Sequence, residues 1–256
     1  MELLDAEARR AALGRLLAEQ GFVAVAEASA RLGVSEVTVR SDLGVLAARG
    51  IARRVHGGAV AAESVREAPV EATAERDAGL KRAIGVAAAR LVTSGSSVML
   101  DVGSTTHAVA TALVARTDLS DVVVITNGLS IAHTLEAAIP RFTVIVTGGI
   151  LRPLQHSLVD TIAADTLRGL HADLAILGCT GVAEGRVTNV NLPEAAVKRA
   201  MIAASSSSVL VADTSKFGRR DLSAVAPLAD FGTVVTAGPE ADAVVVPPAT
   251  RLVVAA

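Results

Sequence analysis

Asp101-Val102-Gly103-Ser104-Thr105-Thr106 follows the apolar run Val98-Met99-Leu100 and leads into a stretch with helical spacing. A strand, a short loop of Gly and hydroxyl residues, and a helix start bring three things to one point. These are free backbone N–H groups, two or three hydroxyls, and the positive end of the helix dipole. Together they form a cradle for an anion such as phosphate. No Lys follows Gly103, so the loop is not a Walker phosphate loop, and the three-glycine spacing of a dinucleotide fingerprint is missing. Plain N-capping of the helix by Ser104 or Thr105 is the competing reading. Further polar groups follow other apolar runs, in Thr126-Asn127-Gly128, Thr147-Gly148-Gly149 and Asp213-Thr214-Ser215-Lys216. Open α/β sheets place ligands at such strand ends. Only positions 81, 198 and 216 carry Lys among the 24 basic residues, which makes Lys216, just after a strand, a candidate to balance an anionic charge. Glu194 and Lys198 lie four apart on a helical stretch, the spacing of a surface ion pair.

A second chemistry sits near the amino terminus. The net charge is −2, yet residues 31–60 hold five Arg (31, 40, 49, 53 and 54) against Glu36 and Asp42, a local excess of three positive charges. A helix over Arg9–Gln20 has apolar residues at 13, 16 and 17. A second runs from about Val25 to Leu32, and Gly33 suits the tight turn that follows. Ser35 is a good N-cap for a third helix, Glu36–Arg49, which would bury Val39, Leu43 and Leu46. Its opposite side shows Val37, Thr38, Arg40, Ser41 and Gly44, small, polar and basic residues that can approach a major groove closely. Arg40 can reach guanine or phosphate, and the methyls of Val37 and Thr38 can meet a thymine methyl. Ile51 to Ala59 then reads as short strands around a Gly pair, a wing carrying Arg53, Arg54 and His56 to the phosphate backbone. The bland alternative is a three-helix bundle with a solvated basic edge, and the capped third helix and the basic wing together favour DNA binding over it.

The elements that must position these groups change character near residue 60. Beyond it, β-branched runs alternate with Ala-rich helical stretches. Strands are expected near 97–101, 122–126, 143–147, 174–178, 208–213, 233–236 and 251–254, and helices near 80–92, 105–116, 128–138, 160–169 and 193–204. Near-continuous apolar strands separated by helices predict a mostly parallel sheet covered on both faces. The domains are therefore expected at 1–60 and 78–256, with the aperiodic segment 61–77 as linker. With 51% hydrophobic residues over 256 positions, the chain has ample apolar surface for a packed core. It has no stretch of about 18 uncharged apolar residues, and its charged first ten residues are not a signal peptide. A cytoplasmic setting, no membrane partner, no cofactor and no metal are expected. The lone Cys179 reads as a small buried hydrophobe, and the five His show no metal spacing.

Arg9-x3-Leu13-x3-Leu17, then seventeen residues, then Ser35-Glu36-Val37-Thr38-Val39-Arg40-Ser41-Asp42-Leu43, resembles the signature of the DeoR family of bacterial sugar-metabolism regulators. Arg54-Val55-His56-Gly57-Gly58-Ala59 resembles the segment that follows in that family. The likeness continues through Lys81-x-x-Ile84, Asp101-x-Gly103-Ser104-Thr105-Thr106, Thr126-Asn127, Gly148-Gly149, Glu194-Ala195-x-x-Lys198-Arg199-Ala200-Met201 and Asp213-x-Ser215-Lys216-Phe217, and so covers nearly the whole chain. It implies a winged helix-turn-helix followed by an α/β sensing domain similar to ribose-phosphate isomerase and coenzyme A transferase folds. Ser35, Thr38, Arg40 and Ser41 would face operator DNA, while Asp42 would fix the turn or neighbouring Arg side chains. A phosphorylated sugar would bind with its phosphate in the Gly103–Thr106 loop, served by Asp101, Asn127, Asp213 and Lys216. Asp160 stands where the family pattern leads one to expect Gly, and it would either oppose an anion or cap the next helix.

The resulting expectation is a DNA-binding regulator, a repressor of carbohydrate-metabolism genes, that acts as a homo-oligomer and answers to a phosphorylated sugar. The alternative is a sugar-phosphate isomerase-like enzyme with a helical extension, using Asp101, Asp213, Glu194 and Lys216 as acid, base and cation. An isomerase has no need of a basic recognition helix, so the winged module discriminates between the two.

Overall fold

The computed structural model describes residues 5–20, 22–49, 51–55, 57–61 and 70–256. The chain divides into two compact units, Met1–Ala68 and Pro69–Ala256.

In the first unit, α1 (Ala6–Gln20), β1 (Phe22–Ala24), α2 (Val25–Leu32), α3 (Glu36–Ala48), β2 (Ala52–Val55) and β3 (Gly58–Ala61) follow in order. The stripe Leu13, Leu16 and Leu17 packs with Val39, Leu43 and Leu46 in one buried cluster, so the helical spacing becomes a core. Gly33 ends α2 at φ 65°, where its N–H donates to the Ser29 carbonyl, and a Cβ there would be disfavoured. Ser35 caps α3, its hydroxyl accepting from the Thr38 N–H at 3.1 Å. The hairpin β2–β3 is antiparallel, and β3 also pairs with β1. Sequence patterning did not mark β1, because three residues are too few to show alternation.

The second unit opens with α4 (Val70–Glu75), α5 (Ala78–Ala89), β4 (Ser97–Leu100), α6 (Ser104–Ala115), β5 (Val122–Thr126), α7 (Leu129–Leu135) and β6 (Phe142–Val146). It continues through β7 (Ile150–Arg152), β8 (Ser157–Val159), α8 (Asp160–Arg168), β9 (Ala172–Leu177), β10 (Gly181–Ala183) and β11 (Arg186–Asn189). The last elements are α9 (Leu192–Ala203), β12 (Ser205–Val211), β13 (Ser223–Pro227), β14 (Thr233–Thr236) and β15 (Arg251–Val254). Seven strands form one sheet in the order β15-β14-β12-β9-β4-β5-β6, with every pairing parallel. One face is covered by residues of α5, α6 and α7 and the other by residues of α8 and α9, each with its own apolar cluster. The inner strands β4, β5, β9 and β14 are almost fully buried, so no polar alternation is needed there and their sequences read as near-continuous apolar runs, while the edge strands β6 and β15 are partly exposed.

Within the segment that reads as a linker, Val70–Glu75 is a helix belonging to the second unit, while residues 62–69 lie outside the described residues. Two smaller sheets, β7-β8 and β10-β11-β13, left no sequence signal, since their strands have three to five residues and mixed polarity. From β4 the strand order runs one way through β5 and β6 and the other way through β9, β12, β14 and β15. The crevice between the β4 and β9 carboxyl ends is therefore a topological switch point, where open α/β sheets bind ligands.

Candidate functional site

On the first unit, α3 exposes Ser35, Val37, Arg40 and Ser41 on one side, with Val37 72% accessible, and Thr38 is half-buried beside them. Arg40 forms an exposed pair with Glu36 at 2.5 Å, one turn away. Such a pair is weak in water, so the guanidinium can exchange it for a base or phosphate at small cost. Asp42 points the other way. It is 2% exposed and accepts from Arg9 Nε at 2.5 Å and Arg10 Nε at 2.9 Å, tying α3 to α1. Burial would raise its carboxyl, but the two guanidiniums outweigh that and hold it below the ordinary range. Arg54 is exposed on β2. His56 lies outside the described residues, as does the Arg53 side chain, so their placement on the wing stays an expectation.

On the second unit, α6 starts at the switch point. Its N-cap is Gly103 at φ 138°, a conformation closed to most other residues, and no side chain caps the helix. Capping by Ser104 or Thr105 is therefore not what those residues do. His107 N–H closes the first turn onto the Gly103 carbonyl at 2.8 Å, leaving the first-turn amides before it without a capping side chain. Thr105 is 9% exposed, Gly103 and Ser104 more so, and the buried Thr106 hydroxyl donates to the Gly103 carbonyl at 3.0 Å, shaping the loop from beneath.

The remaining polar groups form the floor. Asn127, buried, accepts from the Val102 N–H at 3.1 Å and donates to the Leu158 carbonyl at 3.2 Å, so both ends of its amide are used in fixing the loop. Asp213 is buried and accepts from the Ser215 N–H at 3.0 Å, which shapes the turn carrying Lys216. The Lys216 ammonium is 3.9 Å from Asp213 Oδ2 and partly exposed. Asp101 is fully buried. One oxygen accepts from the Gly178 N–H at 3.1 Å and from Lys198, bridging the β4 and β9 ends, while Oδ1 has no partner among the described residues.

Lys198 and Glu194 do not make the surface pair that their spacing implies. Both are buried and each turns to a different partner, Lys198 to Asp101 and the Gly178 carbonyl, Glu194 to Arg152 and Ser157. The i,i+4 pattern says that two side chains share a helix face and is silent on whether that face is buried. Burial pushes Asp101 up and Lys198 restrains it. Burial alone would lower Lys198, but the charges of Asp101 and Glu194 reverse that, so its ammonium stays charged. Nothing in the sequence marked Arg152, which reaches Glu194 from the β7–β8 hairpin.

Asp160 takes φ 80°, a left-handed conformation that Gly adopts freely and Asp tolerates better than most residues. The departure from the family's Gly is thus a backbone matter, and the Asp160 carboxylate accepts from its neighbour's N–H, Thr161, at 2.8 Å. Cys179 lies against the floor, and burial pushes its thiol up to about 12, which removes thiolate chemistry near neutral pH.

Residues 9–65 match the model of the DeoR-like helix-turn-helix domain, and residues 76–237 match that of the DeoR C terminal sensor domain. The glycerol-3-phosphate regulon repressor of Haemophilus influenzae is 31% identical over 223 residues, 87% of this chain and 86% of that one. The transcriptional repressor AccR of Agrobacterium fabrum is 33% identical over 231 residues, covering 89% and 88% of the two chains. Among solved structures, ribose 5-phosphate isomerase from Plasmodium falciparum is similar at a TM-score of 0.40 and 18% identity, over 54% of this chain and 52% of that one. A likeness of that size bears on neither activity nor ligand. The two matched domains, in this order and over nearly the whole chain, make it a member of the DeoR family, a DNA-binding transcriptional regulator with a carboxy-terminal sensor domain.

Proposed function

We propose that this regulator is a repressor whose operator affinity is set by a phosphorylated sugar bound at the β4–β9 switch point. The observation that carries the reading is the uncapped start of α6 at that crevice. There, amides unbonded to any capping side chain and the helix dipole meet at the carboxyl edge of the sheet, the same edge at which the Lys216 turn follows β12. The phosphate accepts from the Gly103–Thr106 amides and from the Ser104 and Thr105 hydroxyls, with Lys216 balancing charge. Asp101 Oδ1, a buried oxygen with no partner among the described residues, is an acceptor for a sugar hydroxyl, and Asp101, Asn127 and Asp213 otherwise hold the loops in register. Val37, Thr38, Arg40 and Ser41 read the major groove, and Arg53, Arg54 and His56 contact backbone phosphates. Names of similar proteins support the repressor reading, one of them a glycerol-3-phosphate regulon repressor. A cytoplasmic homo-oligomer is the form that fits an operator-binding role.

A ligand shifts operator binding only by the difference in its affinity for the two states. A 100-fold release requires a difference of about 2.7 kcal/mol. The test is a calorimetric screen of phosphorylated sugars, followed by DNA-release assays. Thr105→Asp places a fixed negative charge in the cradle and is expected to abolish release while leaving operator affinity unchanged. Lys216→Ala is expected to weaken ligand binding. Full release of Thr105→Asp by the ligand found would put the phosphate elsewhere.

The isomerase reading is the weaker one, because Glu194, one of its acid and base candidates, is engaged by Arg152 and Ser157, and one oxygen of Asp101 is engaged by Lys198.

A further inference from the structure

Lys81 is a buried lysine that this reading leaves without a role. It lies in the first turn of α5, 6% exposed, and its ammonium donates to the Thr73 and Arg76 carbonyls at the carboxyl end of α4. A lysine ammonium carries three N–H bonds, and the third has no partner among the described residues. Burying a charge with an unused donor is costly, so such a group points to an acceptor of another kind. Parts of the proposed cradle lie around it. Asp213 and Lys216 are close enough to act on the Lys81 charge, and α4 packs against α6, whose start is the cradle. Leu80 and Thr214 converge on Gly238: a Cβ there would fall 3.4 Å from Leu80 and 2.3 Å from Thr214. That places the start of α5 against the Asp213–Lys216 turn. Burial lowers the Lys81 pKa, Asp213 opposes this and Lys216 adds to it, so an anion nearby would favour the charged form.

We propose that Lys81 is a positioning residue that links the anion cradle to α4, giving its third N–H to the bound anion while its other two hold the α4 carbonyls. Occupation of the cradle then fixes α4, the first element after residues 62–69, and so fixes the start of the sensor domain where the chain arrives from the DNA-binding unit. The inference rests on the cradle reading of the Proposed function. It adds a route by which occupancy reaches the connecting chain, through a helix end held by a side chain rather than through the sheet.

The experiment is amide hydrogen exchange on the full chain, with inorganic phosphate and with phosphorylated sugars as probes. In the wild type, saturating probe should slow exchange at 104–107 and, at the same time, slow exchange over 70–77 at least tenfold. In Lys81→Met the protection at 104–107 should persist while the ligand-dependent change over 70–77 disappears, and Lys81→Arg should restore it. A merely structural lysine would alter exchange over 70–77 equally with and without probe. Protection at 104–107 with unchanged exchange over 70–77 in the wild type overturns the link alone. Absence of protection at 104–107 by any probe overturns the cradle reading, and the link falls with it. Should Lys81→Met fail to fold, the wild-type response and the Lys81→Arg response still decide the matter.

Discussion

At the scale of single residues, position on α3 separates jobs that the sequence places side by side. Arg40 and Asp42 are two apart, yet Arg40 is exposed and Asp42 is buried between Arg9 and Arg10. Asp42 therefore stabilises the module instead of repelling DNA. Its depressed pKa means that this contribution is complete above the ordinary carboxylate value of about 4 and is lost as the pH falls through the lower folded value. Arg40→Ala should weaken operator binding and blur sequence preference by about 1–3 kcal/mol if the lost contact is bidentate to guanine. Arg54→Ala should instead weaken binding to all duplexes alike and reduce the salt slope by about one. Titrations of operator and unrelated DNA at two salt concentrations distinguish these outcomes. Wild-type operator binding by Arg40→Ala would mean that α3 is not the recognition helix.

At the scale of elements, short loops with unusual backbone conformations set where helices begin. Gly103 at φ 138° starts α6 without a capping side chain, and Asp160 at φ 80° starts α8 directly after β8. The two solve the same problem differently, since Gly has no Cβ to strain whereas Asp offsets part of its strain through the bond from Thr161. Asp160→Ala should lose both the bond and the tolerance and destabilise the sensor domain by about 1–2 kcal/mol, while Asp160→Gly should cost little. Chemical denaturation followed by a sensor-domain probe measures the difference. Equal losses in the two variants would show that the carboxylate, and not the backbone angle, matters at this position.

For the molecule as a whole, the unsolved balance is apolar surface. Val146, Ile150 and Ile162 are 40%, 57% and 60% exposed and flank Gly148, where a Cβ would lie 3.7 Å from Ile162. The neighbouring β6 is the last strand of the sheet, with an edge that no strand covers among the described residues. An apolar group at a sheet edge is a liability that association removes. Light scattering is expected to give a mass that is a multiple of 25.9 kDa, and Ile162→Glu should lower it. A wild-type mass of one chain, or an unchanged mass in Ile162→Glu, would place the contacts elsewhere or remove them.

Much of this protein was legible in its sequence because the relevant information is local. All seven strands of the large sheet and the main helices of both units follow from apolar periodicity, since a strand buried on both faces and a helix buried on one leave different spacings. The Ser35 cap and the Gly33 turn are local in the same way. The strand, the Gly-hydroxyl loop and the helix start at 101–106 were legible as a residue string, because a helix start needs only its own first residues to gather N–H groups. What the string could not convey is which side chains face outward. Asp101, Asn127 and Asp213 look like ligand groups in sequence, and the structure adds that all three are buried and hold loops in place, Asp101 and Asn127 through bonds to residues far along the chain and Asp213 through its own turn. Glu194 and Lys198 look like partners and are not, and Arg152 and Lys81 gain partners that no spacing links to them. Charge pairing inside a fold is decided by which loops the strand order brings together. In this chain that order reverses between β4 and β9, a fact written only in the tertiary structure.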